Sequence, residues 1–274
     1  MKRNRSLMKW TGSKQLMLKK LLRHLPKTGE VLVEPFAGSC SVALNTHYDK
    51  YLLNDANQDL ISLYILARDE PEWLISQLHV FFNEENNTRA RYLQLRRIYN
   101  ECQCPRTRAV LLCYLSRHCY NGLVRYNQSG GFNVNYGKYK APYLPEEEIL
   151  FFSEKMVNAQ FYCMDFKSFI ELAAKQEGKK TQYCDPPYLP TSEGVPSFTQ
   201  YTAEGFPVQR HLDINDTIVA TRNAFEDVYV SNHAAKNLDD FYPDYKRKSV
   251  FRVTRTTSCK ASTRVPTREV LLYY

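Results

Sequence analysis

In this 274-residue sequence the stretch richest in chemistry is Asp185-Pro186-Pro187-Tyr188, a carboxylate, two residues without a backbone N–H, and an aromatic ring. Tyr183-Cys184 before it reads as the end of a buried strand. Paired prolines lock φ and leave their carbonyls without local donors. Such a turn fixes a carboxylate oxygen and a free carbonyl beneath an aromatic ring. Those groups suit gripping the amino group of a planar base while leaving its nitrogen lone pair free. The same four residues would also serve as an ordinary proline turn, so the rest of the chain has to decide.

Two more signals fall at strand ends, where open α/β sheets bind ligands. Glu34-Pro35-Phe36-Ala37-Gly38-Ser39 follows the short strand Glu30–Glu34, and Gly38 permits close backbone approach. Asp55 ends Tyr51–Asn54, the usual place for an acid that accepts hydrogen bonds from ribose hydroxyls. The full G-x-G-x-x-G pattern is absent, which argues against a nicotinamide enzyme. A nucleoside without a pyrophosphate fits better, because no run of phosphate-cradling glycines is present.

The elements that must position these groups alternate between strand and helix. Leu18, Leu21, Leu22 and Leu25 predict a helix over Lys14–Leu25, and a further helix starts over Ser41–Asn45. Residues 57–119 are mostly helical, with breaks at Glu70-Pro71 and Cys104-Pro105. Residues 120–145 carry no period and read as a surface loop or hairpin. Then follow helix Glu146–Asn158, strand Gln160–Met164, helix Lys167–Lys175 and strand Thr181–Cys184. After a polar loop at 189–207, Val228–Ser231, Ser249–Thr254 and Val270–Tyr274 read as late strands. This alternation implies a parallel α/β sheet, formed by residues 1–56 and 146–274. Residues 57–145 form an inserted helical domain, with a loop or hairpin at 120–140.

Charge placement indicates the partner. The net charge is +8, and residues 2–29 carry nine Lys/Arg with no acid. Residues 89–140 carry ten against Glu101 alone, and residues 246–268 carry eight with no acid. Three basic segments that converge on one face would take a polyanion; solvated faces are the plain alternative. Interleaved Tyr120, Tyr126, Phe132, Tyr136, Tyr139 and Tyr143 favour nucleic acid. No run of about 18 apolar residues and no apolar signal core occurs, so a cytoplasmic protein with no membrane partner is expected, nucleoid-associated through its nucleic-acid binding. The eight cysteines include one close pair, Cys102-x-Cys104, with no second pair to complete a zinc site. Reduced thiols and no metal are expected.

Lys9-Trp10-Thr11-Gly12-Ser13-Lys14, Glu34–Ser39, Asn54-Asp55, Tyr120–Asn127, Phe132-Asn133-Val134 and Asp185–Tyr188 together resemble the Dam family of DNA adenine-N6 methyltransferases. The likeness runs from residue 1 to about 206 and returns weakly at the end. It implies a Rossmann-like methyltransferase sheet that binds S-adenosylmethionine (AdoMet), with 57–145 as a DNA-recognition domain and adenine in GATC as target. By that likeness Trp10, Lys14, Glu34, Phe36, Ala37, Gly38 and Asp55 line the AdoMet pocket, and Asp185, Pro186, Pro187 and Tyr188 are catalytic. Asp185 borders the cofactor as well. Asp165 either reaches the cofactor adenine or simply caps the next helix. Arg125 matches the family arginine that reads a guanine, and Tyr120 the aromatic that enters the duplex as the target adenine is flipped out. Asn121, Leu123, Lys9 and Tyr139 match further DNA contacts. Three departures stand out: Cys40 at a usual glycine, Asn135 at a usual proline, and Ser258-Cys259 near the end.

The expected partner is double-stranded DNA, with a monomer the default. Rival enzymes would methylate cytosine N4, RNA guanine or a protein glutamine amide. An acid before the two prolines favours adenine, and the basic insertion disfavours a protein substrate. A DNA-binding module that keeps AdoMet only as a structural ligand would show erosion of residues 185–188, and none is visible.

Overall fold

The computed structural model describes residues 3–190, 205–254 and 266–274. Its centre is a seven-stranded sheet in the order β3-β2-β1-β4-β5-β7-β6. The strands are β1 Thr28–Glu34, β2 His47–Asn54, β3 Ala159–Tyr162, β4 Lys180–Cys184, β5 Asp227–His233, β6 Arg247–Thr254 and β7 Pro266–Tyr273. The first five run parallel. The last two depart from the parallel expectation: β7 pairs antiparallel with both β5 and β6. Antiparallel pairing of these two successive strands avoids the long crossover that a parallel pair needs.

Central strands are apolar on both faces, as parallel strands covered by helices must be. Their side chains alternate between two cores. Leu32, Tyr51, Leu53, Tyr183 and Leu271 join one; Val31, Val33, Leu52, Cys184 and Leu272 join the other. The first core is closed by α2 Gln58–Asp69, α3 Pro71–Phe81, α4 Arg89–Glu101, α5 Pro105–His118 and α6 Glu146–Lys155. The second is closed by α7 Phe166–Ala174, α8 Arg210–Thr221 and α9 Leu238–Phe241. Prolines at the first turn start α3 and α5, where their missing N–H costs nothing.

Lys14–Leu25 is less regular than its leucine spacing predicts. It contains a 3-10 turn at Lys14–Leu16, one α turn at Leu18–Leu21, and mixed three- and four-residue bonds up to Leu25. Ser41–Asn45 likewise contains only a 3-10 turn, Ala43–Asn45. Helix α6 stops at Lys155, short of Asn158. Most of the 189–207 loop and the Ser258-Cys259 departure lie outside the described residues.

Two contacts bring the basic segments together: Lys20 donates to the Arg252 carbonyl at 2.7 Å, and Lys9 lies 4.1 Å over the Tyr139 ring. Among the described residues no helix is long and apolar enough to cross a membrane.

Candidate functional site

The ends of β1, β2 and β3 are tied by one buried amide. Asn54 Nδ2 donates to the carbonyls of Pro35 and Met164, both at 3.0 Å, and its Oδ1 accepts from the Met164 N–H at 3.0 Å. Beyond this clamp β1 turns sharply through Gly38, whose φ of 45° lies in the left-handed region. The Gly38 N–H donates to Asp55 Oδ2 at 3.0 Å, and its carbonyl accepts from Tyr64 at 2.5 Å. A Cβ on Gly38 would sit 3.0 Å from the Trp10 indole nitrogen. Two residues on, Cys40 is also left-handed, at φ 52°. A glycine, the residue the family likeness leads one to expect here, would meet this backbone demand freely, and cysteine meets it at a steric cost.

Asp55 is held by two backbone donors, Gly38 N–H and Asn57 N–H, each at 3.0 Å. Each carboxylate oxygen keeps a lone pair free, an acceptor pair that suits two vicinal hydroxyls. Burial raises its carboxyl above the ordinary range against the pull of those N–H groups. Phe36 packs against Phe166 and Phe206 at ring distances of 5.2 and 5.9 Å, tilted to the first and edge-on to the second, an aromatic cluster that could border an adenine ring. These features fit AdoMet.

Glu34 differs in kind. Its carboxylate is buried at 2 % exposure and accepts from the Ala43 N–H at 2.9 Å, so it braces the turn beneath the pocket. Burial, with the nearby Asp185 charge, pushes it up to about 8. Asp165 caps α7 by accepting from the Lys167 N–H at 3.0 Å and pairs with Arg210. The geometry contains the helix cap, and the Asp165 side chain stays 50% exposed.

β4 delivers Asp185 to the same side of the sheet. The Asp185 Oδ1 lies 2.6 Å from Lys14 Nζ, which also stands 4.7 Å over the Tyr188 ring. Burial raises the Asp185 carboxyl, and the Lys14 ammonium partly offsets this. Lys14 is thus placed at the acid of the proline turn as well as beside the pocket.

The 120–140 segment leaves α5 through two left-handed residues in succession, Asn121 at φ 55° and Gly122 at φ 63°. This corner leaves Tyr120 at 40 % exposure, while a Cβ on Gly122 would meet Lys9 Cβ at 2.6 Å. Arg125 Nε donates to Asn133 Oδ1 at 2.8 Å across a narrow hairpin closed by the Tyr126–Phe132 bridge. Leu123, expected to touch bases, packs partly against the core. Asn135 is exposed, and its carbonyl accepts from the Tyr120 N–H at 2.7 Å.

The sequence profile of D12 class N6 adenine-specific DNA methyltransferases matches residues 10–256. The chain belongs to this family. It is also 42% identical over 277 residues to the DNA adenine methylase of Salmonella typhi, covering 100% of this chain and 96% of that one. Identity is 40% over 274 residues to the DNA adenine methylase of Escherichia coli strain K12, at 100% and 96% coverage. For the DNA adenine methylase of Vibrio cholerae O1 the figures are 38%, 100% and 97%. The methyltransferase therefore uses AdoMet and acts on adenine in DNA. Among the described residues no His/Cys/Asp/Glu group could hold a metal ion.

Some of its neighbourhood gave no local signal in sequence. Asn57 caps α2 through Oδ1, accepting from the Leu60 N–H, while its Nδ2 donates to Tyr126 at 3.2 Å. Tyr126 in turn meets Tyr99 at 2.8 Å, and Tyr99 donates to Asp59 at 2.5 Å. Arg108 closes the cluster with a fork onto Asp59 at 2.6 and 2.7 Å. Glu269 lies beside Tyr188 from a strand 81 residues away. Only Asn57, a cap-type residue before an apolar period, could have been picked out from sequence.

Proposed function

We propose that this methyltransferase recognises GATC in double-stranded DNA and methylates its adenine after flipping the base to Asp185–Tyr188. Residues 57–145 serve as the target-recognition domain, the enzyme works as a cytoplasmic, nucleoid-associated monomer, and no metal takes part. The observation that carries this reading is Asp185, at the end of β4, paired with Lys14 and set at the same sheet edge as Gly38 and Asp55.

AdoMet, when bound, supplies an electrophilic methyl group. Asp55 would accept the ribose hydroxyls, Phe36 and Ala37 would flank the adenine, and Trp10 and Lys14 would close the amino-acid end. The chain's own residues do the rest. The exocyclic amine of adenine is a poor nucleophile because its lone pair is conjugated into the ring. A hydrogen bond from N6–H to Asp185 and a second to the Pro186 carbonyl favour a tetrahedral nitrogen. As positive charge develops there, the Asp185 carboxylate stabilises it without reorganising. Pro187 keeps the turn rigid, and Tyr188 stacks on the base and fixes its line of approach. In the groove, Arg125 reads guanine, Tyr120 fills the gap in the stack, and Lys9, Asn121, Leu123 and Tyr139 contact the site.

The test is expression in a methylation-deficient host, followed by digestion with nucleases that differ in sensitivity to GATC methylation and sequencing of the modified base. N6-methyladenine at GATC is expected. Modification at another base or motif would overturn the assignment.

A further inference from the structure

The hydroxyl of Tyr188 donates to Glu269 Oε2 at 3.0 Å. Glu269 lies on β7 opposite His233 of β5 and is buried at 5 % exposure. The His233 ring meets Tyr188 edge-on, with centroids 4.7 Å apart and planes at 74°. Lys14 Nζ stands over the ring at 4.7 Å. The ring is therefore gripped at its hydroxyl, its edge and its face. Stacking on a base requires only a ring, and a phenylalanine would supply that. A tyrosine here needs an acceptor for its hydroxyl, and the acceptor is a buried carboxylate, a costly group to keep in a core for packing alone. Burial and the charges of Asp185 and Glu269 hold the phenol far above its usual range, so the proton stays on Tyr188 and the hydroxyl remains the donor.

We propose that Glu269 is a positioning residue for methyl transfer: it anchors the Tyr188 hydroxyl so that the ring meets the extruded base at a single tilt. The inference rests on the base-stacking role of Tyr188. A charge-assisted hydrogen bond to one end of a ring restrains rotation about the Cα–Cβ bond and rocking of the plane. The antiparallel β7 is what makes this possible, because it brings an acid from the end of the chain alongside β5. Losing the anchor lets the base sit at several tilts, and near-attack geometry is sensitive to displacements of about 1 Å.

The experiment compares Glu269→Leu, Glu269→Gln and Tyr188→Ala, reading kcat, KM for DNA, and the fluorescence of a duplex with 2-aminopurine at the target position. Glu269→Leu is expected to lower kcat about tenfold or more, with KM for DNA within about twofold and an altered fluorescence. Glu269→Gln, which keeps an acceptor, is expected to restore most of both. If the leucine variant does not fold, Glu269→Asp withdraws the acceptor by one methylene while keeping the charge, and carries the same expectation. Wild-type kcat and fluorescence in the leucine or aspartate variant, with Tyr188→Ala impaired, would overturn this inference alone. So would equal losses in the leucine and glutamine variants. Wild-type turnover in Tyr188→Ala would instead remove the base-stacking reading beneath it.

Discussion

Lys14 Nζ and Asp185 Oδ1 stand 2.6 Å apart, joining the segment before β1 to the turn after β4. Burial raises the Asp185 carboxyl above its ordinary range, and the Lys14 ammonium pulls it back part of the way, favouring the ionised form. The acid must be ionised to accept from the substrate amine. With its folded value raised above the ordinary range, activity is lost as pH falls through that raised value. Lys14→Met removes the counter-charge and moves the acidic limb of kcat/KM to higher pH. A pH–rate profile with an unchanged acidic limb would contradict the role.

Asp185→Ala should reduce turnover by at least about 10²–10³-fold, the scale of removing a preorganised electrostatic contact. DNA affinity should change little, because Asp185 is assigned to the extruded base and not to the phosphate backbone. Filter binding beside single-turnover kinetics separates the two effects. Near-normal turnover would refute the assignment.

Glu34 carries a linkage that stability measurements can read. Its folded value, about 8, lies well above the ordinary range of a glutamate carboxyl. Its contribution is fully present below the unfolded value and is lost as pH rises through the folded one. Thermal unfolding across this window should show stability declining towards pH 8. Glu34→Gln keeps an acceptor for the Ala43 N–H and should flatten that decline.

Arg108 and Asp59 test the polar contact between α5 and α2. Their side chains are 21% and 11% exposed. Arg108→Met leaves Asp59 without its guanidinium and should cost about 2–3 kcal/mol, below the figure for a fully buried pair. Combining it with Asp59→Leu should recover much of that loss in a denaturant titration. Additive losses would show that the pair is not the coupled unit.

Arg125→Ala should relax discrimination at one guanine by about 1–3 kcal/mol, read as the ratio of kcat/KM on matched and singly substituted duplexes. Uniform weakening on every duplex would mean that the arginine meets phosphate instead.

The proline turn, the Gly38 corner and Asp55 were legible because each carries its own local signature. The parallel half of the sheet followed from alternating strands and helices. α8 was not read, because polar His211, Asn215 and Thr217 occupy its buried face and break the apolar period. Leu18, Leu21 and Leu25 do turn inward, but spacing alone does not separate a regular helix from a ragged one. Glu269 and the Asn57–Tyr126 contact join residues far apart in sequence, and a single sequence holds no signal for such pairs. Asp165 was open between cap and ligand because a strand-end acid before a helix fits both descriptions.

The Asn54 amide spends both its donors and its acceptor on neighbouring loops. The loops after β1 and β3 therefore cannot relax independently: slackening one withdraws a bond that the other depends on. On heating, hydrogen–exchange protection at Ala37, Asp55 and Met164 should disappear together, as one cooperative latch, before the sheet beneath them melts.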